Sequence, residues 1–131
     1  ELSFGTWEGM SISAVESAYP GQMKERMKSV ATFQADGGET YSQLQARVIP
    51  KYEEILARHP DDQIAMVCHG GVNRVILSHL LGIPLDRIFR IHQDYAALNI
   101  IQYYDKEPVV EYIGNAELFS SQKDEIKTAI Q

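Results

Sequence analysis

Ile64-Ala-Met-Val-Cys68-His69-Gly70-Gly71-Val72-Asn73-Arg74-Val75-Ile-Leu-Ser-His79-Leu-Leu81 is the stretch on which the reading of this chain turns. Residues 64–68 form a short, wholly apolar run, the pattern of a strand buried on both faces of a sheet. The run passes through His69 and two glycines into an apolar helix predicted over residues 72–81 and closed by Gly82 and Pro84. Glycines let the backbone pass close to a ligand, and the N–H groups that open the helix point at that spot. A helix N-terminus carries roughly half a positive charge, so even an acidic protein can hold an anion there. His69 follows the predicted strand at its carboxyl end, where ligands bind in open α/β sheets. Arg74 could add a two-pronged clamp on oxygen. An anion site, for phosphate above all, is one reading. A tight turn with a structural histidine is the other.

The flanking elements suit a layered α/β domain. Residues 1–10 read as a loop punctuated by Gly5 and Gly9. Ser13 and Glu16 have capping-box spacing and predict a short helix from Ala14 to before Pro20. A second short helix is predicted over residues 23–30, ahead of a Gly37-Gly38 turn. Thr40 and Gln43 form another capping box, and Leu44, Val48, Tyr52, Ile55 and Leu56 then recur at helical spacing. They predict a long amphipathic helix over residues 41–58, bent at Pro50. Residues 97–104 and 109–113 read as strands joined by a turn at 105–108, and a last helix is expected around 122–130. No repeat, low-complexity tract or linker interrupts the chain, so residues 1–131 are expected to form a single domain.

Composition removes several function classes. The 131 residues are 44% apolar, enough for a core, and carry 12 Lys and Arg against 18 Asp and Glu, a net charge of −6. No basic excess is present to neutralise nucleic-acid phosphates or an anionic membrane surface. No apolar run nears the roughly 18–20 residues of a membrane span. The lone Cys68 excludes an internal disulfide and suits a reducing, cytoplasmic setting. His59, His69, His79 and His92 fit no metal-binding spacing, so no metal or cofactor is expected. The chain begins at Glu1 without an initiator Met, which reads as a cut rather than a natural start.

Two enzymes can be read from residues 68–74. Cys68 and Arg74 satisfy C-x5-R, the loop in which a thiolate attacks phosphorus while backbone amides and an Arg hold the oxygens. That loop's usual His before the Cys and Ser or Thr after the Arg are replaced by Val67 and Val75. The plain alternative makes Cys68 a small hydrophobe ending a buried strand. The second enzyme is centred on His69.

The segment Val67-Cys-His69-Gly70-Gly71-Val72-Asn-Arg74 resembles the second histidine motif of the histidine phosphatase (phosphoglycerate mutase-like) superfamily. Three further segments resemble that family in the same order. They are Glu1-Leu-Ser-Phe4-Gly5-Thr-Trp7-Glu8-Gly9, Gly37-Gly38-Glu39-Thr40, and Asp94-Tyr-Ala-Ala-Leu98-Asn99-Ile-Ile with Asn115. The resemblance implies a three-layer α/β/α fold with a mostly parallel sheet and an antiparallel terminal hairpin. It also implies that the N-terminal strands are missing. The family's nucleophile is a histidine in an Arg-His-Gly motif ahead of the acidic segment, and this sequence has none. Arg58-His59 is followed by Pro60 and does not substitute. At the size of two strand–helix–strand units, about 60–80 residues are expected before Glu1.

By the same resemblance Glu1 is the general acid, protonating the leaving oxygen and then activating water. His69 hydrogen-bonds the phosphoryl oxygens in the transition state, and the Gly70 N–H is a further donor. Arg74 is left as structural or supporting, Trp7 and Glu8 as shaping their loop, and Phe4 as packing. Residues 10–33, with Tyr19, Met23 and Met27, are expected to cover the pocket and choose the substrate. The short lid and the form of the acidic segment favour a phosphatase over a mutase. Residues 91–98 resemble the alpha-ribazole phosphatases. The expected substrate is a small phosphorylated metabolite. Alternatives are a mutase-type phosphoryl transfer, the thiol enzyme, or a non-catalytic phosphate-binding relic. The family's first strand would lie between residues 64–68 and the terminal hairpin. The chain alone is thus expected to be inactive, its gap filled by a complementary N-terminal fragment or by a homodimer partner.

Overall fold

The computed structural model describes residues 1–114, in the order of a 3-10 turn (Gly5–Trp7), α1 (Ile12–Ala18), α2 (Gln22–Lys28), α3 (Tyr41–Arg58), α4 (Gly70–Leu80), a 3-10 helix (Leu85–Arg90), β1 (Asn99–Tyr104) and β2 (Glu107–Ile113). The final helix expected around residues 122–130, and Asn115, lie outside the described residues. The chain divides into two compact units, Glu1–Ile91 and a second that begins at His92.

In the first unit α3 is the organising element. The Thr40 hydroxyl accepts the Gln43 N–H at 3.0 Å while the Gln43 side chain accepts the Thr40 N–H at 2.8 Å. This reciprocal pairing satisfies two of the donors that a helix start otherwise leaves unmet. The helix then runs to Arg58 through Pro50, burying Tyr41, Leu44, Ile49 and Tyr52. It packs on α4, which buries Val75, Ile76, Leu77 and Ser78. α4 stops in a Schellman motif. Gly82, at φ +65°, donates to the His79 carbonyl, and Ile83 donates to Ser78 O at 2.8 Å. A separate apolar cluster joins Trp7, Val15 and Ala35, with Phe4, Met10, Tyr19, Met23 and Phe33 packed against it.

Several boundaries differ from expectation. α1 starts two residues early because Ser11 is its cap, accepting the Ala14 N–H at 3.1 Å; the Ser13 hydroxyl instead meets Ser11 Oγ. α2 ends at Lys28 rather than Val30, whose side chain is buried. α4 starts at Gly70, so both glycines belong to its first turn rather than to the preceding loop.

The largest correction falls on residues 64–68. They form no strand and are exposed, Val67 completely. A buried strand needs a neighbour for its backbone groups and cover for both faces, and among the described residues nothing pairs with this one. The sheet of the described residues is the antiparallel β1–β2 pair of the second unit. Its turn is two residues, not four. Asp105 and Lys106 both take positive φ, as a type I′ hairpin requires, and Glu107 and Pro108 join the strand. A bulge between Ile100 and Ile101 shifts the register. Within this unit the side-chain amides of Gln93 and Asn99 exchange two hydrogen bonds, at 2.8 and 2.9 Å.

The cap at the start of α3 yields a stability test. Thr40→Ala should lower the unfolding free energy by about 1 kcal/mol, as a shift in the urea midpoint, with Thr40→Ser nearly neutral. An unchanged midpoint for Thr40→Ala would show that the cap does not support the helix.

Candidate active site

The site begins with how the first nine residues are held. Ser3 O accepts the Glu39 N–H at 2.9 Å, and Asp36 O accepts the Thr6 N–H at 2.9 Å. The chain start therefore lies against residues 35–39, just before the α3 cap. Gly5 makes that contact possible: it takes φ +54°, and a Cβ there would overlap the backbone of Asp36 and Gly38. The Glu8 carboxylate accepts the Phe4 N–H at 2.6 Å and closes the turn. Trp7 fixes the loop from below, 5% exposed and 5.3 Å from the Phe33 ring centre.

This path delivers Glu1 to the start of α4. One carboxylate oxygen accepts the Leu2 N–H at 2.7 Å, and the other accepts the Gly71 N–H at 2.9 Å, across 70 residues of sequence. The helix that receives it is capped by His69, whose side chain is exposed. The carboxylate thus occupies the positive end of α4, where unpaired N–H groups and the helix dipole favour negative charge. Glycine at position 71 leaves the carboxylate its room. A Cβ at that position would overlap the Glu1 carboxylate.

Cations and rings surround this point. Arg74 Nε donates to Ile91 O at 2.9 Å, and its Nη1 lies 3.1 Å from where a Cβ of Gly70 would stand. Its guanidinium lies 5.9 Å from the Phe89 ring centre. Arg26, on α2, sits 5.1 Å from the same ring, 5.6 Å from Phe4 and 5.9 Å from Tyr41. Burial raises the Tyr41 hydroxyl above its ordinary pKa; the positive charges of Arg26 and Arg74 oppose this, and the charge of Glu1 adds to it. The Tyr41 ring therefore stays protonated, and it lies within electrostatic reach of Glu1, Arg26 and Arg74 together.

A second ion pair lies behind Glu1. Arg47, two turns into α3, gives Nε to Glu39 at 2.7 Å and Nη2 to the other Glu39 oxygen at 3.0 Å. The same Nη2 donates to the backbone oxygen of Glu1 at 2.8 Å. The Arg47 guanidinium holds the Glu39 carboxyl below the usual carboxylate range, despite some burial in the other direction.

Of the residues singled out in the sequence, Glu1, His69, Gly70 and Arg74 come together around the first turn of α4. Glu8 and Trp7 hold the Glu1 loop. Tyr19 and Met23 pack into the Trp7 cluster, and Met27 is 55% exposed on α2. Arg26 and Arg47 were not singled out in the sequence, and Glu39 stood there only within the Gly37-Gly38-Glu39-Thr40 segment. Glu39 and Arg47 are eight positions apart, outside the i,i+4 rule, and a ring-bound arginine leaves no spacing signal. Among the described residues no group of three His, Cys, Asp or Glu side chains is placed to hold a metal ion, and no helix is long and apolar enough to cross a membrane.

The chain is similar to several known proteins. Phosphoserine phosphatase 1 of Hydrogenobacter thermophilus is 26% identical over 110 residues, which cover 84% of this chain and 52% of that protein. Glucosyl-3-phosphoglycerate phosphatase of Mycolicibacterium vanbaalenii is 28% identical over 93 residues, covering 66% and 41%. Among solved structures, Bacillus stearothermophilus YhfR superposes with a TM-score of 0.76 at 21% identity, covering 85% of this chain and 55% of its own. The alpha-ribazole phosphatase of Shigella flexneri gives 0.73 at 19% identity, covering 88% and 57%. The fold is therefore the phosphoglycerate mutase-like one, and the chain spans about half the length of the curated relatives it matches. The model of the histidine phosphatase superfamily, branch 1, matches residues 1–116, and the chain belongs to that family.

Proposed function

We propose that the full-length protein is a phosphomonoesterase acting on a small phosphorylated metabolite through a phosphohistidine intermediate. The nucleophilic histidine is assigned to a segment ahead of Glu1, because no Arg-His-Gly occurs in the 131 residues. The observation that carries the reading is the Glu1 carboxylate on Gly71 N–H, in the first turn of the helix at whose N-cap position His69 stands. A proton donor and an anion-binding helix start then face one point.

The chemistry runs in two steps. The upstream imidazole attacks phosphorus, the ester P–O bond breaks, and the leaving oxygen takes its proton from Glu1. Water then attacks the phosphohistidine, giving its proton to Glu1, and the P–N bond breaks to release phosphate and the free imidazole. His69 and the Gly70 N–H donate to the phosphoryl oxygens as charge moves onto them. Arg74, tied to Ile91 O and lying against Gly70, steadies this turn. α1 and α2 form the lid. Met27 is the exposed lid residue, while Tyr19 and Met23 anchor the segment on Trp7. Phosphatase rather than mutase action is supported by the short lid and by the phosphatase names of the relatives. No resident metal or cofactor takes part, and the setting is cytoplasmic.

Three predictions follow the residues of the site. First, His69→Ala should cost about 3 kcal/mol of transition-state stabilisation, a hundredfold or more in kcat. Cys68→Ser should leave turnover nearly intact, as should EDTA. Loss of activity in Cys68→Ser with His69 untouched would transfer the mechanism to the thiol.

Second, Glu1→Gln should slow poor leaving groups most, since an activated aryl phosphate needs little protonation. Pre-steady-state measurement of the phosphorylation step across a leaving-group series reads this. Equal losses across the series would remove Glu1 from the acid role.

Third, Gly71→Ala should behave like a milder Glu1→Gln. The added methyl displaces the carboxylate while the helix, in which Ala is the better former, stays folded. A Gly71→Ala enzyme with full activity toward poor leaving groups would show that this carboxylate position is not the working one.

A further inference from the structure

We propose that Arg47 and Glu39 are positioning residues for Glu1, fixing the proton donor through its backbone. This rests on the reading of Glu1 as the general acid and adds the device that aims it.

Glu1 is tethered on both sides of its Cα. Its carboxylate meets the Gly71 N–H at 2.9 Å, and its carbonyl oxygen meets Arg47 Nη2 at 2.8 Å. With one anchor on α4 and one on α3, the side chain is fixed in direction as well as position. Arg47 is itself held in a fork by both oxygens of Glu39, at 2.7 and 3.0 Å, so its free rotation is spent before it reaches Glu1. Glu39 is set in turn by its N–H to Ser3 O, and by α3 starting at the next residue, Thr40. Glu39 is the better covered partner, at 16% side-chain exposure against 51% for Arg47. Leu44, one turn before Arg47 on the same helix, is fully buried and anchors this stretch of α3. The pair contributes no group to the phosphoryl pocket. Its contact is with the Glu1 main chain, so removing it leaves the acid present but loosely aimed.

A loosely aimed acid has a kinetic signature that a general loss of stability does not share. In the full-length enzyme, Arg47→Met should lower the phosphorylation rate roughly tenfold to a hundredfold for alkyl phosphates, with little change for activated aryl phosphates. Arg47→Lys, which can reach one oxygen but cannot fork, should recover part of the alkyl rate. In the double variant with Glu1→Gln, adding Arg47→Met should cost almost nothing further.

Equal losses on every substrate, or losses that multiply in the double variant, would overturn the proposal and leave the pair as ordinary scaffolding. Should Arg47→Met fail to fold, the slope measured for Arg47→Lys against wild type decides by the same criterion. A flat leaving-group series for Glu1→Gln itself would instead remove the acid reading on which this one stands. A steep series for Glu1→Gln with a flat one for Arg47→Met would remove this inference alone.

Discussion

One hydrogen bond, from the Gly71 N–H to the Glu1 carboxylate, joins the chain start to the turn after residues 64–68 and makes one site of two distant motifs. Most of the first unit can be read as support for it. Gly5 and Gly38 let the acidic segment lie on residues 35–39, the capping box starts α3 at the right residue, and α3 packs on α4. The bond itself needs a residue without a side chain at Gly71, because the carboxylate lies where a Cβ would be.

The parts of the fold legible in the sequence are those whose partners are local. α3 carries both members of its capping box within four residues and its apolar stripe within one helix, and its observed bounds match the reading. The Schellman stop of α4 is equally local. Residues 64–68 are the opposite case. Apolar character marks them for burial, but a strand exists through its neighbour, and among the described residues none is present. Their exposed Ile64, Met66 and Val67, with Leu98, Ile100 and Ile113 of the second unit, are apolar surface that water does not suit.

The site divides along the same line. His69 and Gly70 were legible as a candidate anion-binding turn from an apolar run, two glycines and a helix, with a structural turn as the other reading. Glu1 was not, since a single acidic residue at the start of a chain carries no signal; the family resemblance supplied it. Arg26 escaped both routes. Its partners Phe4, Tyr41 and Phe89 come from three separate segments, and only folding brings the rings around one guanidinium.

The placement of Arg47 also answers a question of charge. A guanidinium forked directly onto the Glu1 carboxylate would hold it firmly, yet would favour the ionised form and oppose its use as an acid. Here the fork is filled by Glu39, and the remaining N–H goes to the Glu1 carbonyl, which does not titrate. Arg47 thereby holds the Glu1 backbone rather than its carboxylate. The carboxylate accepts from neutral backbone donors, the N–H groups of Leu2 and Gly71. On the proposed reading of Glu1 as the acid, positioning through the backbone leaves the carboxylate without a forked arginine to hold it ionised.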